Sequence, residues 1–268
     1  MTSYRIGIDV GGTFTDLAAV DADGRVVTAK SASTPRDPSE GLLAGLELLA
    51  AELGTDLKGL LARTGSIVHG TTTATNALLE KKGARVGLLT TEGHRDVIEM
   101  REGLKDDRYN LRMEPPVPLV PRALRLGVRE RTAFDGAVRT PLHRGSLAKA
   151  LVALARAKVE AVAVCYLHAY RNGRHEALTG RAVRARLPRA YLSLSSEVLP
   201  QIKEYERVWT TVVNAYVGPA LARYLGSLAA KLRARGYRGE ILIMQSHGGV
   251  APIRESARLA AGAVLSGP

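Results

Sequence analysis

The sequence predicts an α/β protein, and three observations carry that expectation. Of the 268 residues 46% are apolar but only 4% aromatic, so the core is built from Ala, Leu and Val, which suits alternating strands and helices better than an aromatic-rich sandwich. The N-terminal stretch alternates as strands around glycine-containing turns. Beyond it, short apolar runs alternate with helical patterns. A chain of this length buries one large core or two modest ones.

The elements follow in order. Residues 4–9 and 15–21 read as strands around Gly11-Gly12-Thr13, and Asp21-Ala22-Asp23-Gly24 turns into a third strand over 25–30. These three strands are expected to lie side by side and antiparallel. Asp37-Pro38-Ser39-Glu40 starts a helix running to about Leu53, with Leu42, Leu43, Leu46 and Leu49 on one face. A strand over 67–69, a helix over 72–82 and a strand over 85–90 come next. Pro115, Pro116, Pro118 and Pro121 mark residues 106–121 as an extended surface connection, because proline fits neither a central strand nor a helix interior. The pattern continues with a strand over 126–134, a helix over 145–157, a buried strand over 161–167, a helix over 173–187 and a strand over 191–195. Gly218-Pro219 separates two expected helices, 204–217 and 219–235, as a stop followed by a first-turn proline. A strand over 240–245 runs into His247-Gly248-Gly249. The chain stops at Ser266-Gly267-Pro268, just after an apolar segment, which reads as a cut. There is no internal repeat.

The net charge of +12 raises the question of a nucleic-acid or membrane partner, but 29 of the 38 basic residues are Arg and they are scattered. No aromatic platforms interleave with Arg122, Arg125, Arg129 and Arg131 or with Arg181, Arg184, Arg186 and Arg189. No stretch approaches the roughly 20 apolar residues that span a bilayer. Neither nucleic acid nor membrane is therefore expected as a partner, and the cytoplasm is the expected compartment. The positive field suits a small anionic ligand. The single Cys165 rules out an internal disulfide and reads as a buried structural thiol. His94, His143, His168 and His175 lack metal-ligand spacing, so neither zinc nor iron is expected.

The chemistry concentrates in I-G-I-D-V-G-G-T-F-T-D, residues 6–16. Gly11 and Gly12 lack Cβ atoms, so the turn can bring backbone N–H groups up to a phosphate, and Thr13 and Thr15 add hydroxyls. Asp9, at the end of a buried strand facing that turn, would repel a phosphate unless Mg²⁺ with its waters lies between them. Asp16 is ambiguous between hydrogen bonding within the hairpin and a second contact to those waters. Neither G-x-x-x-x-G-K-[ST] nor G-x-G-x-x-G is present. The alternative is a plain hairpin, which needs neither the acid before the glycines nor the threonines after them. A second motif, H-G-T-T-T-A-T-N-A at 69–77, ends a strand and opens a helix whose free N–H groups favour an anion. Glu99, Arg101 and Glu102 either reach a cleft or form a solvated charged turn. Glu204, Glu206 and Arg207 read as a helix-start ion-pair arrangement.

The 6–16 segment resembles the first phosphate motif of the actin-like ATPase superfamily, and its G-G-T-F-T-D form resembles the hydantoinase A and 5-oxoprolinase family. The H-G-T-T of the second motif is similar to that family's own. So are L-T-T-E-G-H-R-D-V at 88–97, R-E-R at 129–131, S-S-E-V-L-P at 195–200, E-Y-E-R at 204–207, T-T-V-V-N-A-Y-V-G-P at 210–219 and I-M-Q-S-H-G-G at 243–249. His247 departs from the family's usual Asn. The resemblance implies an actin-like, ribonuclease H-like fold with a mixed sheet opened by three antiparallel strands. It implies an N-terminal domain over 1–190 and the beginning of a core domain over 191–268. It implies ATP and Mg²⁺, with Asp9 and Asp16 catalytic and Asp9 holding the metal through water. Gly11, Gly12, Thr13, Phe14 and Thr15 would bind nucleotide phosphate, and His69, Gly70, Thr71, Thr72, Thr73 and Asn76 would bind substrate or phosphate. The implied reaction is ATP-driven opening of a cyclic amide, hydantoin or 5-oxoproline, with a hydantoinase B-type partner subunit or fused segment. The second phosphate loop and adenine pocket would lie beyond Pro268. Ketone carboxylation, a small-molecule kinase and an ATP-gated binding module are the alternatives.

Overall fold

A computed structural model describes residues 3–34, 37–102, 107, 109–114 and 117–266. It divides into two compact units, Met1–Lys82 with Ala220–Pro268, and Gly83–Pro219. Of the expected connection over 106–121, Asp106, Arg108, Pro115 and Pro116 lie outside the described residues, as do Gly267 and Pro268 at the end of the chain.

In the first unit, β1 (Tyr4–Val10), β2 (Phe14–Val20) and β3 (Val26–Ala32) are consecutive antiparallel strands, as expected. After β3 come α1 (Pro38–Glu52), α2 (Leu57–Ala62), β4 (Thr64–Thr71) and α3 (Thr73–Leu79). Helix α1 starts where its sequence signal lies: Asp37 Oδ1 accepts from Ser39 N at 3.1 Å, and Asp37 is also paired with Lys231 at 2.5 Å. That ammonium holds the Asp37 carboxyl below its usual range. Leu42, Leu46 and Leu49 of α1 are fully buried. The parallel neighbour of β1 is β4, with Ile8 opposite His69 and Asp9 opposite Gly70.

The second unit holds β5 (Val86–Thr91), α4 (Val97–Met100), β6 (Arg125–Val128), β7 (Arg131–Thr132), β8 (Val138–Thr140), α5 (Arg144–Arg156), β9 (Ala161–Cys165), α6 (Arg174–Arg186), β10 (Tyr191–Leu194) and α7 (Ser195–Val198). Strands β10-β9-β5-β6 form a parallel sheet in that order. Such a sheet is covered on both faces, which accounts for the wholly buried β5 and β9. The strand expected over 126–134 is broken at Arg129 and Glu130. Glu130 turns inward there, accepting from Thr91 Oγ1 and lying 2.7 Å from His175 Nδ1.

The two helices expected after residue 204 are one, α8 (Glu204–Ala234), with Pro219 inside it, and the division between the units falls within it. Proline there removes the hydrogen bond to the carbonyl of Ala215, a real cost. A buried row outweighs it, with Val212, Ala215 and Val217 fully buried before the proline and Leu221, Leu225, Leu228 and Leu232 after it. Local signals predicted a stop, and tertiary burial overrode them. The chain then returns to the first sheet with β11 (Glu240–Met244), β12 (Val250–Pro252) and α9 (Ile253–Arg258), which completes a mixed sheet of order β12-β11-β4-β1-β2-β3.

A continuous α8 makes Pro219 a mid-helix defect and not a helix start. Pro219→Ala is expected to raise stability by about 1–3 kcal/mol, measured as a shift of the urea midpoint at unchanged slope. A neutral or destabilising result would mean that Pro219 opens a separate helix.

Candidate functional site

Three strands of the first sheet, β11, β4 and β1, run parallel and side by side, so their carboxyl ends deliver three loops to one edge. These are Gly11-Gly12-Thr13, Thr71-Thr72-Thr73 and the turn from Gln245 to Gly249. In open α/β sheets that edge is where ligands bind.

The first loop is a two-residue hairpin turn closed by Gly11 N donating to Phe14 O at 3.0 Å. Neither Gly11 nor Gly12 has positive φ, so the glycines are not required by the turn's handedness. A Cβ on Gly12 would meet nothing within 4 Å. The turn is clasped from beneath by Ser33, whose N donates to Thr13 O at 2.9 Å and whose Oγ donates to Gly11 O at 2.8 Å. Thr13 and Phe14 are exposed, whereas Thr15 is fully buried and its hydroxyl is taken by Ser33 at 3.0 Å. Thr15 thus steadies the turn, and the expectation that it offers a phosphate donor is corrected. Sequence reasoning passed over Ser33, because nothing local marks a serine 22 residues from its partner as part of the loop.

Asp9 does not face the turn from a buried position. Strand β1 alternates, with Ile6, Ile8 and Val10 buried and Gly7 and Asp9 on the solvent face. Register then places four residues in one cross-strand row: Gly70 on β4, Asp9 on β1, Asp16 on β2 and Lys30 on β3. Gly70 leaves the flank of Asp9 clear, since a Cβ there would lie 3.1 Å from Asp9 Oδ1. Lys30 Nζ is 2.9 Å from Asp16 Oδ1 and 4.9 Å from the centre of the Phe14 ring. Asp9, Asp16 and Lys30 of this row border an open groove of about 690 Å³. Two carboxylates directly opposite each other are mutually repulsive, and carboxylate oxygens are the donors a hard divalent cation takes. The residues present therefore fit Mg²⁺ beside the turn.

The second motif divides by depth. His69 and Thr71 are fully buried. Tyr224 Oη lies 2.8 Å from His69 Nε2, and burial pushes the imidazole down to about 4. The Ile8 backbone exerts a weak counter-pull, although Nδ1 closes no hydrogen bond of normal geometry. His69 is thus a neutral core residue and not a ligand contact, which corrects the expectation. Thr71 Oγ1 lies 2.8 Å from Thr73 Oγ1 and accepts from Thr73 N at 3.2 Å. Thr72 Oγ1 accepts from Asn76 Nδ2 at 3.2 Å and reaches Val10 O at 3.4 Å, tying this loop to the first. Helix α3 has only seven residues, so the dipole expected of a longer helix is small. Thr72, Thr73 and Asn76 remain accessible while Gly70 is buried beside Asp9. In the third loop Gly248 has φ 86° and Gly249 N donates to His247 Nδ1 at 3.3 Å.

With this geometry in place, comparison with known proteins is decisive. The hydantoinase/oxoprolinase N-terminal region matches residues 5–187, and the hydantoinase/oxoprolinase domain matches residues 207–268. The chain belongs to the hydantoinase/oxoprolinase family. Caprolactamase subunit alpha of Pseudomonas jessenii is 40% identical over 99% of this chain and 38% of the relative. Acetone carboxylase beta subunit of Xanthobacter autotrophicus is 31% identical over 98% of this chain and 38% of the relative. The crystal structure of the ATP-dependent caprolactamase from Pseudomonas jessenii superposes with TM-score 0.90 at 40% identity, covering 99% of this chain and 39% of that one. Nucleotide-free acetone carboxylase gives 0.89 at 30%, covering 100% and 39%. The chain therefore spans under two fifths of the length of these hydantoinase/oxoprolinase relatives.

Two outcomes check the site. Gly12→Ala meets no atom and adopts an ordinary backbone, so its unfolding free energy is expected to stay within about 1 kcal/mol of wild type while affinity for a nucleotide or inorganic pyrophosphate falls. Unchanged affinity by calorimetry would remove the turn from the site. His69 binds a proton less readily folded than unfolded, so its stabilising effect is complete above about pH 6.5 and is lost as pH falls toward 4. The loss is expected to reach about 3 kcal/mol, and denaturant titrations from pH 7 to 4 should show a shallower decline for His69→Gln.

Proposed function

We propose that this chain supplies one wall of the phosphate site in an ATP-dependent enzyme that opens a cyclic amide by phosphorylating its carbonyl oxygen. The observation that carries the reading is the pairing of Asp9 with Asp16 beside an open Gly11-Gly12-Thr13 turn. An amide resists water because its nitrogen lone pair stabilises the carbonyl. Phosphorylating the oxygen removes that stabilisation, and the transfer depends on positioning and charge neutralisation. Bound Mg²⁺ would neutralise phosphate charge. Asp9 would hold it through water, with Asp16 as the second acid. With the Gly11 N–H committed to Phe14 O, the backbone N–H groups of Gly12 and Thr13 and the Thr13 hydroxyl would orient phosphate oxygens, and Phe14 would shield the turn's outer side. Thr72, Thr73 and Asn76 would bind substrate or phosphate on the neighbouring strand end.

The similarity to caprolactamase favours a simple lactam among cyclic amides, with hydantoin and 5-oxoproline as nearby variants. Acetone carboxylase supports a second reading, ATP-dependent ketone carboxylation, through the same phosphate site. Both relatives are named as subunits, which supports a hydantoinase B-type partner. In this reading residues 1–190 form the family's N-terminal domain and 191–268 begin its core domain. Phosphate release by the complete enzyme with ε-caprolactam, 5-oxoproline, hydantoin, or acetone plus bicarbonate tests the assignment. Stimulation by acetone and bicarbonate alone would select the carboxylase.

In the complete enzyme Asp9→Asn keeps the side chain's shape and removes its charge. Turnover is expected to drop by about 100-fold or more, against about tenfold for Thr13→Ala, which deletes one donor among several. The check is steady-state ATP cleavage across a Mg²⁺ titration, and wild-type turnover by Asp9→Asn would sink the site.

A further inference from the structure

The second sheet is parallel throughout, with β5 flanked by β6 on one side and β9 on the other. The chain leaves β5 for β6 and afterwards crosses to the opposite flank through α5 and β9, so strand order reverses beside β5. Loops at the carboxyl ends diverge at such a point and leave a crevice that takes ligands. One is present, with a volume of about 360 Å³, walled by Val97, Leu167 and Tyr205 and edged by His94, Arg101 and Glu204. That volume is within the range of small-molecule sites.

Three features separate this lining from a solvated turn. Arg101 has φ 56° and ψ −144°, and Lys203 has φ 75°. Side chains disfavour these conformations, and such outliers gather at ligand clamps. The charges are also unevenly matched. Lys203 Nζ reaches Glu102 Oε1 at 3.4 Å and Glu206 Oε1 at 3.3 Å, so those three occupy one another. The side chains of Arg101 and Glu204 have neither hydrogen bond nor ion pair among the described residues, and Glu206 Oε2 is shut from solvent without a partner. Finally, Arg131 Nη1 lies 3.2 Å from His94 Nε2. A guanidinium only donates, so Nε2 accepts and the ring proton sits on Nδ1. Burial, and then Arg131, hold the His94 pKa below its ordinary value.

We propose that this crevice binds a small zwitterion, a primary ammonium and a carboxylate joined by a short apolar chain. Arg101 takes the carboxylate, Glu204 takes the ammonium, and Val97 and Leu167 lie along the chain. A phosphate is disfavoured because three carboxylates line the crevice against two cations. An apolar molecule would leave Arg101 and Glu204 unpaired. Opening a cyclic amide with water produces a zwitterion of this kind: the C–N bond breaks, the water oxygen stays on the carbonyl carbon, and the nitrogen leaves as the amine. The crevice is thus a product site, an assignment that rests on the lactam reading, whereas zwitterion binding itself does not.

Trp209 is the only tryptophan, and its ring stacks on Tyr205 at 6.4 Å and 23°, so occupancy of the crevice should change its emission. The 268-residue chain is titrated without nucleotide, using 6-aminohexanoate as the probe and hexanoate, hexylamine and ε-caprolactam as comparisons. A saturable change with 6-aminohexanoate is expected, at least tenfold tighter than with either singly charged analogue. Arg101→Ala should bring 6-aminohexanoate down to the level of hexylamine, and Glu204→Gln down to that of hexanoate. Unfolding curves verify both variants, and the wild-type series decides alone if a variant does not fold. No saturable binding, or equal binding of all four compounds, overturns the proposal. Because nucleotide is absent, zwitterion binding without lactam-dependent ATP cleavage by the complete enzyme would keep the crevice and remove only its product role.

Discussion

The proposed phosphate site depends on the register of β1 against β2 and β4. Side chains alternate along a strand with a period of two, so a slip of one residue exchanges the faces completely. In the observed register Ile6, Ile8 and Val10 enter the core, and Asp9 stands in one row with Gly70, Asp16 and Lys30. A slip of β1 would turn Arg5 and Asp9 into the core and Ile6 and Ile8 out of it, burying charge at a large cost. The apolar half of the strand thereby positions the acidic half. Lys30 and Asp16 are each 56% exposed, so their ion pair adds little to stability. Its effect is electrostatic, leaving the facing carboxylates partly neutralised.

The same alternation sends other polar residues inward, where each needs a partner. Thr15 finds Ser33, His69 finds Tyr224 and Thr71 finds Thr73. These contacts keep the loops still without facing a ligand. Residues of a single motif are therefore split by depth into those that stay accessible and those that hold the first group in place.

The second unit uses a buried polar network for a comparable purpose. Glu176 accepts from Tyr166 N at 3.0 Å, Ser195 Oγ at 2.6 Å and Ser196 N at 2.8 Å. Arg207 Nη1 donates to Tyr166 O at 2.7 Å and Ser195 Oγ at 3.1 Å, so Ser195 links the two charges, in place of the helix-start ion pair expected of Arg207. Burial pushes Glu176 upward and the Cys165 thiol up to about 12, which makes Cys165 the inert core residue its apolar run indicated. These bonds fasten the carboxyl ends of β9 and β10 beside the crevice.

By itself the sequence determined the α/β class, the three opening strands, most later elements and the glycine turn with its acid, because hydrophobic period, turn chemistry and short motifs are local. Gly11-Gly12-Thr13 is legible in three letters, and Asp9 stands out beside it. Tertiary structure alone decided which motif residues face outward. It buried His69 and Thr15, joined 204–217 to 219–235 through Pro219, broke the strand over 126–134 at Glu130, and brought Ser33, Lys30 and Tyr224 to the site. The reason is common to all of these. Burial and cross-strand register are set by partners tens to hundreds of residues away, as with Tyr224 and His69, 155 positions apart, and no local pattern encodes which polar atoms will meet once water is excluded.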